Sequence, residues 1–195
     1  MKIIGITGGV GAGKSSILAY LEEAHGAIVI EADKVGHLLM APGGACYNKI
    51  IEVFGRDLLG ADQTIDRAKL GAIVFCNEER LGCLNKIVHP QVKQWIKNKI
   101  EEERLKGECT LFVIEAALLI EDHYDEICDE LWYIHTDEGI RRKRLKESRG
   151  YSDEKIAGIM ANQLSPEKFR KACQAVIVNN GLLEDTYQQI DKQLG

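Results

Sequence analysis

Five short runs of apolar residues recur along the chain and predict its strands. They lie at residues 2–7, 27–30, 111–114, 131–134 and 175–178. Each run is almost wholly apolar instead of alternating with polar residues, which is typical of strands buried on both faces. Helical patterns separate the runs, as in residues 16–24 after the first one. The sequence therefore predicts an α/β fold in three layers, with helices covering a five-stranded parallel sheet.

Polar residues follow these runs at the points where the strands are expected to end. A glycine-rich segment follows the first run, and the others lead to Glu31, Glu115, His135 and Asn179. In an open parallel sheet, ligands bind beyond the carboxyl ends of the strands. We therefore expect all five endings to belong to one site.

The stretch of residues 34–106 differs because it contains no convincing parallel-strand run. Val92, Ile96 and Ile100 fall on one face of a predicted helix within it. We interpret the stretch as an inserted helical segment, between the second and third strands, that forms a substrate-binding region. The whole chain is then one domain, with a core of about 1–36, 109–138 and 172–195, an insertion of about 37–108 and a lid of about 139–171.

The glycine-rich segment at residues 8–15 matches the phosphate-binding pattern G-x-x-x-x-G-K-[ST], with a strand before it and a helix after it. Backbone amides of such a loop, together with the positive end of the helix, bind phosphate oxygens. Lys14 is expected to reach the β- and γ-phosphates and Ser15 to offer its hydroxyl to Mg²⁺. The alternative is a glycine turn that matches by chance. The expected ATP-binding residues here are Gly9, Gly11, Ala12, Gly13, Lys14, Ser15 and Ser16.

A run of charge at residues 141–149 carries six cationic side chains and one acidic one. Such a run is commonly a solvated helix face. Here it follows the fourth strand of a triphosphate-binding fold, where arginines can close over phosphates and stabilise the transition state. Residues 150–153 (GYSD) would form the turn that lets this lid move, with Ser152 as a helix N-cap.

Bulk composition excludes several classes of protein. The hydrophobic share of 45% and the charged share of 28% are ordinary for a globular domain. A net charge of −5 argues against a general nucleic-acid binder. The six cysteines form no C-x-x-C pair, and no signal peptide or membrane-spanning run is evident. We expect a cytoplasmic protein with reduced thiols and no membrane partner; its oligomeric state stays open, and a monomer is compatible.

By these motifs the chain resembles the dephospho-coenzyme A kinases over nearly its whole length. The shared pieces are GITGGVGAGKSS at 5–16, EADKVGHLL at 31–39, IDRAKLGAIVF at 65–75, LNKIVHP at 84–90, IEAALLIE at 114–121, RRKRLKESRGYS at 141–152, NQ at 162–163 and VIVNNG at 176–181. The resemblance implies a P-loop kinase fold with an acceptor-binding insertion and a lid. Three positions depart from the family pattern: Glu31, Ala117 and Ile159.

The resemblance also implies roles for individual residues. Asp33 is the expected catalytic base, although an aspartate there could also cap a helix. Glu115 is expected to hold Mg²⁺, directly or through water, unless it faces solvent. The departure at Ile159 shifts the expected phosphate clamp to the arginines of the charge run. We expect Arg141 to bind ATP and Arg144 and Arg149 to act in catalysis together with Lys14, and Arg142 is a further candidate.

Three more residues have open alternatives. Arg67 is expected to bind a phosphate of the acceptor or to form an ion pair with Asp66 or another carboxylate. His89 is expected to bind substrate, or Pro90 simply restricts it to extended geometry before a helix at residues 91–104. Asn179 is expected near the adenine of ATP, or it builds an Asn-Asn-Gly turn.

The function implied by the resemblance is the ATP-dependent phosphorylation of the ribose 3′-hydroxyl of dephospho-CoA, with ATP and dephospho-CoA as substrates and Mg²⁺ as cofactor. The first alternative is another small-molecule or nucleoside monophosphate kinase on the same scaffold. The second is a GTP-driven switch, which the sequence disfavours because none of its Asn-Lys pairs continues to N-K-x-D.

Overall fold

The computed structural model describes residues 1–75 and 77–195, so Cys76, one of the cysteines expected to be reduced, lies outside the described residues. The strands are Lys2–Thr7 (β1), Ile28–Glu31 (β2), Leu111–Glu115 (β3), Glu130–His135 (β4) and Ala175–Val178 (β5). The α-helices of the described residues are Lys14–His25 (α1), Ala32–Leu39 (α2), Tyr47–Phe54 (α3), Arg67–Phe75 (α4), Glu78–Lys106 (α5), Glu138–Arg149 (α6), Asp153–Ala161 (α7), Pro166–Ala172 (α8) and Leu183–Leu194 (α9).

The five strands form one parallel sheet in the order β2-β3-β1-β4-β5. Its central strand, β1, lies between β3 and β4, with Ile6 opposite Glu115 and Thr7 opposite Tyr133. Each strand begins and ends within one residue of the apolar run that predicted it. The prediction of a five-stranded parallel sheet is therefore confirmed.

Helices pack on both faces of the sheet. On one face, Ile6 and Trp132 belong to a buried cluster with Ile17 of α1 and Ile190 of α9. On the other, the ring of Tyr133 stacks on Phe169 of α8, with the ring centroids 4.7 Å apart. Because strands covered on both sides need apolar side chains at every position, this packing explains the continuous apolar runs.

The described backbone divides into two compact units. The first comprises Met1–Val29 and Lys106–Gly195, and it contains the phosphate-binding loop and helices α1 and α6 to α9. The second is Ile30–Leu105, which contains α2 to α4 and nearly all of α5. Helix α2 with Asp33 thus belongs to the second unit, several residues before the start expected for the insertion.

Helix α5 corrects one sequence prediction. Pro90 lies inside this helix of 29 residues and does not mark the start of a new one, so His89 is helical and not extended. Proline has no N–H for the carbonyl of Lys86, which usually ends or kinks a helix. The apolar face nevertheless continues across it, because Val88 and Val92 both lie within 4 Å of where a side chain at Gly36 of α2 would be. Packing against α2 outweighs the lost hydrogen bond.

The charge run and its flanks form helices α6 and α7, joined at Gly150. The Ser152 side chain accepts a hydrogen bond from the backbone N–H of Lys155, which confirms it as the N-cap of α7. Within the described residues, no helix combines the length and the apolar character needed to cross a membrane.

Candidate active site

The loop between β1 and α1 has the backbone shape of an anion-binding nest. Gly13, the N-cap of α1, adopts the left-handed region at φ 84°, which disfavours any residue with a side chain. At Gly8, a Cβ would lie 2.6 Å from the carbonyl oxygen of Ile134, so backbone itself excludes a larger residue. The backbone N–H of Ala12 donates to the Gly9 carbonyl at 3.1 Å and closes the turn. These features hold the loop in a shape in which its other backbone amides can face an anion.

Lys14 is held at the mouth of the loop, close to the end of β3. Its Nζ donates to the Gly8 carbonyl at 2.8 Å and lies 3.4 Å from Oε1 of Glu115. The Lys14 and Glu115 side chains are only 17% and 13% exposed. Glu115 therefore faces the lysine and not bulk solvent, as expected for a carboxylate that serves the phosphate site.

Ser15 and Ser16 lie exposed in the first turn of α1. A serine hydroxyl, one carboxylate and phosphate oxygens are the hard oxygen ligands that Mg²⁺ prefers. Ser15 and Glu115 would supply two protein ligands of such a set, so the residue types present fit Mg²⁺. Among residues 1–75 and 77–195, no cluster of three His, Cys, Asp or Glu side chains could hold a metal ion by itself.

Arg141 of α6 lies directly against the loop. Its Nε donates to the Val10 carbonyl at 2.9 Å, and its Nη2 donates to Oε1 of Gln163 at 2.5 Å. The guanidinium occupies the space that a side chain at Gly9 would need. Burial lowers the pKa of the Arg141 guanidinium from its ordinary value, but an arginine stays charged at neutral pH. The structure thus places this predicted ATP-binding residue beside the loop.

Arg144, one helical turn further along α6, contacts the rear of the loop. Its Nη2 donates to the Asn179 carbonyl at 3.1 Å, and its Nη1 lies 3.5 Å from the Ala12 carbonyl. The two residues of the charge run that reach the loop are therefore three positions apart, on the same face of the helix.

The other arginines of the run point elsewhere. Arg142 donates from Nε to Glu138 at 2.8 Å in a surface ion pair. Arg149 is exposed, and its guanidinium lies over the ring of Tyr151 at 5.9 Å from the centroid. The expected catalytic role of Arg149 thus has no support from its contacts, because its partner is an aromatic ring at the end of α6. The charge run therefore has two faces: one contacts the loop, and the other is a solvated helix face, which was the alternative interpretation of the run.

Asn179 is 1% exposed, and its side chain is engaged on both sides. Its Nδ2 donates to the Ala12 carbonyl at 2.8 Å, and its Oδ1 accepts from the Thr186 hydroxyl at 3.2 Å. An amide that is buried and bonded in this way is poorly suited to read an adenine edge, which was one of the two sequence expectations, the other being an Asn-Asn-Gly turn. It contacts the loop backbone instead.

Asp33 is the second residue of α2, in the other unit, and its side chain is exposed. The N-cap position belongs to Glu31, whose side chain makes no capping hydrogen bond and instead pairs with Lys34 at 2.6 Å. The alternative that Asp33 is a helix cap is therefore wrong. Its carboxylate remains available to a substrate at the end of β2.

Arg67 begins α4 in the same unit. Asp66 accepts hydrogen bonds from the backbone N–H groups of Ala68 and Lys69, so it caps the helix and does not pair with Arg67. In the described part of the chain, Arg67 has no ion-pair partner. It lines a cavity of about 230 Å³ whose other walls are largely apolar, formed by Met40, Ala41, Pro42 and Ile65 together with His37 and Thr64.

Two residues that contact this site were not singled out from the sequence. Thr136 donates from its hydroxyl to the Ala12 carbonyl at 3.0 Å, and Gln163 accepts from Arg141. Each carried a weak signal, since Thr136 follows a predicted strand and Gln163 belongs to the NQ pair of the family resemblance. Neither signal on its own indicates that Thr136 contacts the loop or that Gln163 contacts Arg141.

Comparisons with known proteins identify the family. The family model described as dephospho-CoA kinase matches residues 2–185. A dephospho-CoA kinase of Carboxydothermus hydrogenoformans is 40% identical over 191 residues, which cover 97% of this chain and 91% of that protein. Among solved structures, a dephospho-CoA kinase from Campylobacter jejuni superimposes with a TM-score of 0.72 at 26% identity, covering 100% of this chain and 96% of that one.

A second solved structure, of the protein TT1252 from Thermus thermophilus, is closer in shape, with a TM-score of 0.81 at 27% identity over 99% of this chain and 96% of that one. The family match spans both the phosphate-binding loop and the unit that contains Asp33 and Arg67. The chain belongs to the dephospho-CoA kinase family.

Proposed function

We propose that the protein transfers the γ-phosphoryl group of ATP to the ribose 3′-hydroxyl of dephospho-CoA and releases CoA and ADP, the last step of coenzyme A biosynthesis. The observation that carries the proposal is the preformed phosphate-binding loop, with Lys14 and Glu115 at its mouth, in a chain of this family. Kinases of this kind work by positioning and by neutralising charge, without a covalent intermediate.

The triphosphate would bind to the loop amides, with Lys14 leaving the Gly8 carbonyl to contact the β- and γ-phosphates. Mg²⁺, held by Ser15 and by Glu115 directly or through water, would neutralise charge on the phosphate oxygens. Arg141 extends the cationic lining on the α6 side.

Asp33 would accept the proton of the 3′-hydroxyl as that oxygen attacks the γ-phosphorus. The bond between the γ-phosphorus and the bridging oxygen breaks, and ADP leaves with the electron pair. Support for this role comes from an exposed carboxylate that does not cap its helix.

The acceptor would use the cavity beside Arg67. A largely apolar wall suits the pantetheine arm of dephospho-CoA. The Arg67 guanidinium, which has no ion-pair partner among the described residues, suits a phosphate of the same molecule. His89, on α5 in the same unit, remains a further candidate for substrate binding. We also propose a cytoplasmic enzyme, since the five cysteines of the described residues are free thiols.

The test offers purified protein Mg-ATP with dephospho-CoA, adenosine, shikimate or a nucleoside monophosphate, and identifies the product by mass spectrometry. We expect phosphorylation of dephospho-CoA at the ribose 3′ position, and faster turnover with ATP than with GTP. Turnover of another acceptor in preference to dephospho-CoA would overturn the proposal.

A further inference from the structure

The main-chain carbonyl of Ala12, in the middle of the phosphate-binding loop, is approached by three side chains from three parts of the chain. Asn179 Nδ2 lies 2.8 Å from this oxygen, the Thr136 hydroxyl 3.0 Å and Arg144 Nη1 3.5 Å. Thr136 follows β4, Arg144 lies on α6 and Asn179 follows β5. We call Thr136, Arg144 and Asn179 the Ala12 clasp.

A loop that offers its amides to phosphate turns carbonyls toward the protein interior. Ala12 is 1% exposed, so water cannot satisfy its carbonyl. A buried carbonyl without a donor would be costly, and the loop would relax to reach water or another donor. Protein donors behind the loop therefore stabilise the shape that binds anions.

Asn179 is itself fixed in place, which makes it a rigid donor. Its backbone N–H donates to the His135 carbonyl at 2.8 Å. Its Oδ1 lies 3.2 Å from the Thr186 hydroxyl, whose single proton is shared with the Val178 and Leu182 carbonyls. The Asn179 carbonyl in turn accepts from Arg144 at 3.1 Å. It also lies 3.0 Å from the Thr136 hydroxyl, which shares its single proton between this oxygen and the Ala12 carbonyl. The clasp members thus hold one another as well as the loop.

The contact between Asn179 and the loop is close. A Cβ at Gly13 would overlap Nδ2 of Asn179, so the amide fills the space beside the loop backbone. A substitution that changes this amide should therefore shift the loop backbone at Ala12 and Gly13.

We infer that Asn179 and Thr136 are positioning residues that preform the loop for the triphosphate, and that Asn179 sets the affinity for the phosphate chain and not for the base. The inference rests on the proposed use of ATP, and it assigns these residues a role that does not involve contact with the nucleotide.

The test replaces Asn179→Asp, which puts an oxygen in place of the Nδ2 donor and makes it repel the Ala12 carbonyl. Asn180→Asp is the matched control. It adds the same charge one position away, and Asn180 Oδ1 already accepts from the Asp137 N–H at 2.8 Å, so a carboxylate keeps that bond. Calorimetry, with Mg²⁺ present throughout, would measure the affinity of each protein for two ligands: ATP, and inorganic triphosphate, which has no base.

We expect Asn179→Asp to lower the affinity for ATP and for inorganic triphosphate by the same factor, on the order of 10- to 100-fold, because a buried donor becomes an acceptor. Asn180→Asp should stay within about 3-fold of the wild type. Loss of ATP affinity with unchanged affinity for inorganic triphosphate would mean that Asn179 reads the base, and would overturn the inference. Equal affinities in all three proteins would overturn it as well.

Thr136→Val and Thr136→Ser provide a second test that does not depend on the folding of the aspartate variant. The valine removes the hydroxyl donor and keeps the shape, so the KM for ATP should rise about 3- to 10-fold with a smaller change in kcat. Serine restores the hydroxyl and should restore the KM, whereas an unchanged KM in the valine variant would contradict the clasp. A wild-type protein that binds neither ATP nor inorganic triphosphate would instead refute the proposed function.

Discussion

Among the described residues, Gln163 is the one partner outside the loop that the Arg141 guanidinium bonds, and its replacement by leucine is a direct probe of the site. Arg141 is partly buried and donates to Gln163 Oε1 and to the Val10 carbonyl. Leucine has a similar size and no acceptor, so Gln163→Leu leaves Nη2 of a desolvated cation without its bond. A hydrogen bond to a charged group contributes roughly 1.5–3 kcal/mol.

If the guanidinium stays in place, the free energy of unfolding should fall by about 1.5–3 kcal/mol. If it swings toward solvent, it leaves the Val10 carbonyl and the loss appears as a higher KM for ATP. Urea unfolding followed by tryptophan fluorescence, together with the KM for ATP, measures both parts. The two losses, expressed as free energies, should sum to the same range.

Gln163→Glu is the control, because a glutamate keeps the acceptor and adds an opposite charge. It should be at least as stable as the wild type. Gln94→Leu, which removes an exposed amide bonded to Asn98 on α5, should change stability by less than about 0.5 kcal/mol. Wild-type stability and wild-type KM in Gln163→Leu would refute the assignment of Gln163 as a support for Arg141.

Three further predictions concern the catalytic groups and acid stability. Lys14→Met should abolish turnover and lower the thermal midpoint without preventing folding, because the largely buried Glu115 loses the cation beside it. Residual turnover would remove Lys14 from the phosphate site. Asp33→Asn should lower kcat about 10²-fold or more with little change in stability, and a loss of only a few-fold would exclude the role of base. Glu130 has a pKa below its ordinary value of 4.5 because Trp132 Nε1 donates to it and Lys2 pairs with it. The ionised Glu130 therefore contributes stability that is fully present above pH 4.5, the ordinary pKa of a glutamate. This contribution is lost as the pH falls through the lowered pKa of the folded state. Glu130→Gln should therefore be less stable than the wild type at pH 7, by less than about 1 kcal/mol because the pair is partly exposed, and equally stable in strong acid. A difference that persists in strong acid would contradict this cause.

The sheet was predictable from the sequence because burial on both faces acts on every residue of a strand. Residues 131–134 and 175–178 show this as unbroken apolar runs, and the strands there differ from them by at most one residue. Phosphate binding was equally visible, since the amide nest requires glycines at fixed spacing before Lys14. Both signals are local, and each is repeated over several neighbouring residues.

The support of the loop was not predictable, because it joins side chains to main-chain oxygens across long separations. Asn179 and Ala12 are 167 positions apart, and Thr136 and Ala12 are 124 apart. Any residue can supply a main-chain carbonyl, so the acceptor leaves no trace in the sequence. An Asn after a strand is compatible with a turn, a base contact or a clasp, and only the fold decides among them.

Pro90 was misinterpreted for a related reason. A proline preceded by a histidine locally favours a helix start, and that preference is worth a few kcal/mol at most. The opposing contribution, the packing of Val88 and Val92 beside Gly36, comes from a helix more than 50 residues earlier in the chain. The hydrophobic periodicity did indicate a continuous helix, since apolar positions continue at helical spacing on both sides of the proline.

The charge run shows how helical geometry divides one run into two functions. Arg141 and Arg144 are three positions apart and face the loop, whereas Arg142 turns away to pair with Glu138. Each of these two guanidinium groups has five N–H donors. The bonds to main-chain oxygens and to Gln163 use only some of them. The remaining donors can bind phosphate while the others keep the helix against the loop. An ammonium has no planar fork with which to share its donors in this way, which explains why arginine and not lysine stands at both loop-facing positions.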